Sequence, residues 1–151
     1  MKKIAISLIV ILLSVVNSFA ADLSTAWEQL QSDKGFIVAN VPSQKALSNG
    51  FETLTVALNT APTTQDINNA KRIAATINSN QKITSVSQNG VNVSIYAAPA
   101  ATDGSLYKIF IMIDMNENAD NRALIGLYGT CTRDNMLNTL QNMSIENIIG
   151  G

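Results

Sequence analysis

The sequence predicts an α+β domain: a mostly antiparallel sheet with helices packed on one face, closed by a C-terminal amphipathic helix. Three observations carry this. Apolar residues recur at helical spacing through the first half and at alternate positions through the second. Asn89-Gly90 joins two extended runs, a short-range hairpin signal because both residues accept positive backbone angles. The segment "TRDNMLNTLQNM" places Met136, Leu137, Leu140 and Met143 on one helical stripe after the last strand.

The elements follow in order. Lys2 and Lys3, an apolar run from Ile4 to Val16 and the small-residue end Ser18-Phe19-Ala20 predict a secretory signal peptide over 1–20. The run is shorter than the ~20 residues a membrane span needs, so no span is expected after cleavage. Residues 21–151 then suit one α+β domain with one core. "DLSTAWEQLQ" has a capping residue and Leu23, Trp27 and Leu30 at helical spacing, and "KG" closes it. "FIVANV", ended by Pro42, reads as a first strand. "SQKALSNGFETLTVALN" reads as a helix with Ala46 or Leu47, Leu54 and Leu58 on one stripe, kinked at Asn49-Gly50. Thr64 then caps a helix in which Ile67, Ala70, Ala74 and Ile77 line one side, small alanines allowing close approach to a sheet. Two strands flank Asn89-Gly90. In "LYKIFIMIDM", Tyr107, Ile109, Ile111 and Ile113 share one face while Phe110 and Met112 lie on the other, which predicts a central strand. "RALIGLYG" is the last strand, its Gly126 and Gly129 permitting a bulge or close packing. Thr132 is the expected cap of the final helix, and Ile145, Ile148 and Ile149 of the tail are expected to pack.

Composition excludes several functions. The net charge of −1 becomes −3 when Lys2 and Lys3 leave with the signal, which argues against nucleic acid as a partner recognised by bulk charge. With no histidine, the chain holds no serine–histidine or cysteine–histidine nucleophile and no histidine-bearing zinc site. A single cysteine, Cys131, forms no internal disulfide. No cofactor is implied.

Over "VNVSIYAA" and "LYKIFIMIDMNENADNRALIGLYGTCTRDNMLNTLQNM", the chain resembles a domain-of-unknown-function family of small exported envelope proteins of Bacteroidetes-type bacteria. The most specific part is "LIGLYGTCTRDNMLNTL", a strand ending in glycine followed by a polar helix start. The resemblance implies a periplasmic or secreted protein of unassigned activity, linked to an envelope response. It transfers no active residue and accounts for neither Cys131 nor Trp27.

Candidate chemistry is sparse. "DMNENADNR" alternates oxygen-bearing side chains at Asp114, Asn116, Asn118 and Asp120. A helix–loop–helix calcium site needs glycine at the sixth position and glutamate at the twelfth, where this chain has Ala119 and Ile125. The stretch therefore reads as a solvated hairpin loop, with those four residues as weak metal candidates. Asp114, Glu117 and Asp120 supply the carboxylates an enzyme of glycosidase type would need, but within one turn. Cys131, just before the last helix, is a possible free thiol, which helix-terminal amides would activate unless it is buried. These features favour a non-catalytic envelope module that binds a protein or a small ligand. The alternatives are a carboxylate- or metal-dependent enzyme and a self-associating subunit, a homodimer being the simplest case.

Overall fold

The structure, a computed structural model, describes residues 21–77, 82–100, 105–118 and 121–142. The expected signal peptide and the isoleucine-bearing tail lie outside the described residues. Ten elements follow in order: α1 (Ala21–Gln31), β1 (Ile37–Asn40), α2 (Ser43–Ser48), β2 (Thr53–Asn59), α3 (Thr64–Ala75), β3 (Lys82–Gln88), β4 (Val91–Pro99), β5 (Leu106–Asn118), β6 (Asn121–Thr132) and α4 (Arg133–Asn142). The strands form one six-stranded sheet in the order β1-β2-β6-β5-β4-β3, every pair antiparallel. The α+β class with a dominant antiparallel sheet is as expected, and β5 is central. No helix among the described residues is long and apolar enough to cross a membrane.

Alternation along the strands divides the core in two. On one face Val93, Ile95, Ile109, Ile111, Ile113, Ile125 and Leu127 form a continuous buried layer, met by Ala46, Phe51 and Met136. On the other, Ala57, Tyr96, Phe110 and Leu124 lie under Leu23, Trp27 and Leu30 of α1 and Ile67, Ala70 and Ile73 of α3. The helices therefore do not share one face: α1 and α3 cover one side, while α2 and α4 contribute to the other. The reason is that Tyr96, Phe110 and Leu124 put apolar side chains on the second face of β4, β5 and β6 as well, which leaves two surfaces to cover.

The long helix expected over 43–59 is replaced by α2 and β2. Gly50 sits at φ +87°, and its N–H and that of Phe51 return to the Leu47 and Ala46 carbonyls, the hydrogen-bond pattern of a Schellman stop. Beyond it, Leu54 and Leu58 are four residues apart, a spacing that an alternating strand satisfies as well as a helix. Here Leu54 and Val56 face one core and Ala57 the other. β-branched Thr53, Thr55 and Val56 decide for the strand.

α3 begins one residue earlier than expected. Thr63 is its cap, with a reciprocal box: the Asp66 N–H donates to Thr63 Oγ1 at 3.1 Å, and the Thr63 N–H donates to Asp66 Oδ2 at 3.0 Å. Thr132 accepts from the Asn135 N–H at 3.3 Å, as expected of the α4 cap. Asn89 and Gly90 adopt φ 53° and 81° in the β3–β4 turn. Because β2 and β3 lie four places apart in the sheet, the chain between them must cross β6, β5 and β4, and α3 makes that crossing.

Candidate functional site

The helix that crosses the sheet presents Ile67, Ala70 and Ala74 toward it, with exposed Lys71 at the edge. Beneath them are Asn92, Ser94 and Tyr96 of β4, Met112 and Asp114 of β5, and Leu124 of β6, and a pocket of about 250 Å³ remains between the layers. It exists because the facing side chains are short. Ala70 and Ala74 end at Cβ, and Asn92 and Ser94 occupy the sheet positions where a branched apolar residue would fill the gap. The alanines thus do not bring helix and sheet into full contact as expected. Ala70 is buried while Ala74 is only half-buried, and the space opens toward the second.

Asp114 stands at one end of this pocket. Period-two alternation on β5 puts it on the same face as Phe110 and Met112, and Arg122, two positions into β6, reaches it from the facing strand. Arg122 Nη2 lies 3.2 Å from Asp114 Oδ2, and the side chains are 30% and 22% exposed, respectively. The pairing is incomplete. Asp114 Oδ1 and Arg122 Nε are both buried and have no hydrogen-bond partner among the described residues, an arrangement that leaves one acceptor and one donor unanswered. Tyr96, packed against Phe110 at 6.1 Å between ring centroids, forms part of the wall. Its hydroxyl pKa is raised by burial, a hydrogen bond with Ser94 pulling the other way, so the wall stays neutral at physiological pH.

Two other depressions are more open. One, of about 720 Å³, runs between Asp33 and Arg72. Its polar groups answer one another: Asn69 Nδ2 donates to Asp33 Oδ2 at 3.1 Å, and Arg72 Nη2 to Asn69 Oδ1 at 2.6 Å. The other, of about 560 Å³, lies beside Trp27 and Tyr128. Those rings stack on each other, 5.4 Å between centroids, and Lys108 Nζ is 5.2 Å from the Tyr128 ring centroid. Neither depression holds an unanswered buried group among the described residues.

Of the four metal candidates, the side chains of Asp114 and Asn116 lie among the described residues, and those of Asn118 and Asp120 lie outside them. β5 runs through Asn118 and β6 starts at Asn121, so most of the loop expected over 114–122 belongs to strands. Asp114 and Asn116 are strand residues two apart on one face of the sheet. Asp114 is also engaged by Arg122. Asp120 lies outside the described residues, and no group of three or more histidine, cysteine, aspartate or glutamate residues suited to a metal occurs among them. Of the carboxylate set Asp114, Glu117 and Asp120, only the first has a described side chain.

No family model, curated protein or solved structure matches the chain.

Cys131 is a free thiol and fully buried. It belongs to β6 rather than to the helix start, and it faces the core layer of Ile109 and Leu127 on the side away from the pocket. Burial, aided by the negative charge of Glu52, pushes its pKa up to about 12, the reverse of the activation expected from helix amides. Of the α4 stripe, Met136 is buried, while the side chains of Leu137, Leu140 and Met143 lie outside the described set. Lys71, Asn92, Ser94 and Tyr96 were not legible as site residues. Asn92 and Ser94 read as the solvent side of an amphipathic strand, and only their placement opposite two alanines gives them a common cavity.

Proposed function

We propose that the protein is an exported, non-catalytic envelope module whose partner is a small ligand held between α3 and the β4–β6 surface. The pocket carries this reading: it combines apolar side chains from helix and sheet with a few convergent polar groups, the general form of small-molecule sites. Membership in the family of small exported envelope proteins, a leader cleaved after residue 20 and periplasmic or secreted residence belong to the same proposal and rest on sequence pattern. So does an amphipathic α4, supported by buried Met136 with exposed Asn135 and Asn138.

The test is ligand capture from an envelope small-molecule extract, with mass spectrometry of what the purified protein retains. Ala74→Phe, which fills the pocket from the helix side and leaves Asp114 and Arg122 in place, should abolish retention. Equal retention by both proteins would remove the pocket from consideration. Self-association is the second reading, favoured by one observation: Ile37 is 76% exposed on edge strand β1, beside exposed Ala39 on the same side of the sheet. Sedimentation of wild type and Ile37→Lys decides it.

A further inference from the structure

The pocket's charges and size narrow its ligand, on the premise that it is the binding site proposed above. At about 250 Å³ it falls below the ~300–1,000 Å³ of sites for drug-sized molecules. Its occupant is correspondingly small. Two charged residues line it, Asp114 and Lys71, and they ask for opposite things.

Asp114 is half-answered. Arg122 holds Oδ2, while Oδ1 is enclosed with no donor among the described residues. The terminal torsion of an aspartate is broad, so a modest turn of the carboxyl group brings Oδ1 toward the pocket, which Asp114 already lines. A donor there relieves an acceptor that folding has removed from water. Lys71, exposed on the solvent side of α3, is a positive charge over the opening and favours a negative group. A simple amine answers Asp114 and faces Lys71 as a like charge. A simple carboxylate answers Lys71 and leaves the aspartate oxygen bare. Between the two charges Ala70, Ala74, Met112 and Leu124 supply apolar surface, and Asn92 and Ser94 add polar groups on the β4 side.

We infer that the pocket selects a small zwitterion of the α-amino-acid type with an aliphatic side chain. Its ammonium meets Asp114, its carboxylate turns toward Lys71 and its side chain lies against the two alanines.

Isothermal titration of the purified protein with leucine tests this, alongside 3-methylbutylamine, 4-methylpentanoate and leucinamide. Leucine should bind, and each compound lacking one charged end should bind at least ~tenfold more weakly. Asp114→Asn should lower leucine affinity by a similar factor without changing that of 4-methylpentanoate. Should Asp114→Asn fail to fold, Lys71→Gln, at an exposed site, carries the test: leucine weakens and 3-methylbutylamine does not. No heat with leucine up to ~10 mM, equal affinity for 4-methylpentanoate, or unchanged leucine binding in Lys71→Gln overturns the inference. Equal affinity for leucinamide also overturns it and assigns the site to peptide amino termini. A ligand captured from extract in an Ala74-dependent way, with no response to leucine, removes the zwitterion and leaves the pocket's role intact. Loss of both removes the proposed function itself.

Discussion

Replacing Gly126 with alanine should destabilise the protein by about 1–2 kcal/mol, although alanine is ordinarily the better residue in a strand. Gly126 lies in β6 directly beneath α1. A Cβ there would stand 2.5 Å from Leu30 Cδ2 and 3.1 Å from Trp27 Cζ3. The Leu30 methyl is the far end of a flexible side chain, but that side chain is completely buried, and Trp27 is wedged between Tyr128 and Phe110, 5.4 and 6.0 Å away by ring centroids. The added methyl must therefore lift α1 or force Leu30 off its rotamer. Overpacking of this kind costs about 1–3 kcal/mol, offset by about 0.4–1 kcal/mol from the stiffer unfolded chain. Trp27 is the chain's one tryptophan, so its fluorescence during urea unfolding reports on this contact and on global stability together. The midpoint should fall with the slope unchanged. In a Leu30→Ala background, where about 2–5 kcal/mol is already lost to a cavity, the same methyl should be neutral or favourable. A Gly126→Ala variant as stable as wild type, or an equal penalty in both backgrounds, would refute the close approach of α1 to the sheet.

Three further outcomes follow from the geometry. Gly129→Ala should be worse than Gly126→Ala, by more than about 3 kcal/mol: its Cβ would meet the Thr53 carbonyl oxygen at 2.2 Å, and backbone in a paired strand has no alternative rotamer. Equal urea midpoints for the two variants would contradict this. Cys131 should resist maleimide in the native protein and react only as urea opens the core, since burial holds its thiol pKa at about 12. Because the unfolded thiol ionises first, near its ordinary pKa of ~8.5, stability should fall as pH rises from there toward 12, and Cys131→Ala should flatten that fall. Asp66 is held below the usual carboxylate pKa chiefly by the Thr63 backbone N–H, with the Asn59 side chain assisting against desolvation. Its contribution is present above the ordinary carboxylate pKa of ~3.9 and is lost as pH drops through the depressed value; Asp66→Asn should weaken the acid dependence, and an unchanged acid midpoint would refute the cap's role.

The parts of the fold legible in the sequence were those in which one period had no competitor. Tyr107 to Ile113 carry apolar residues on both faces of an extended run, the mark of a central strand, and Asn89-Gly90 marks a turn that the backbone angles bear out. Over residues 53–59, Leu54 and Leu58 satisfy both periods, and what decides for the strand is β-branching and pairing with β6, which is not local. The single-sided placement of the helices failed for a related reason. An apolar residue shows that a face is buried without showing which segment covers it.

Asp114 alternates with Asn116 along β5, the period of a strand, and so shares a sheet face with it. What gives Asp114 a setting is remote in sequence. β3 is at the far edge of the sheet from β1, so the chain leaving β2 must pass over three strands, and α3 lands with Ala70 and Ala74 above the positions where β4 carries Asn92 and Ser94. A cavity is made of atoms that four separate residues lack. No residue type signals such a site in one dimension, whereas a motif announces itself by what it contains. The consequence is a specific ordering of effects: filling the space at Ala74 should remove binding more completely than neutralising either charge at its rim, because the charges choose the ligand and the missing methyl groups admit it.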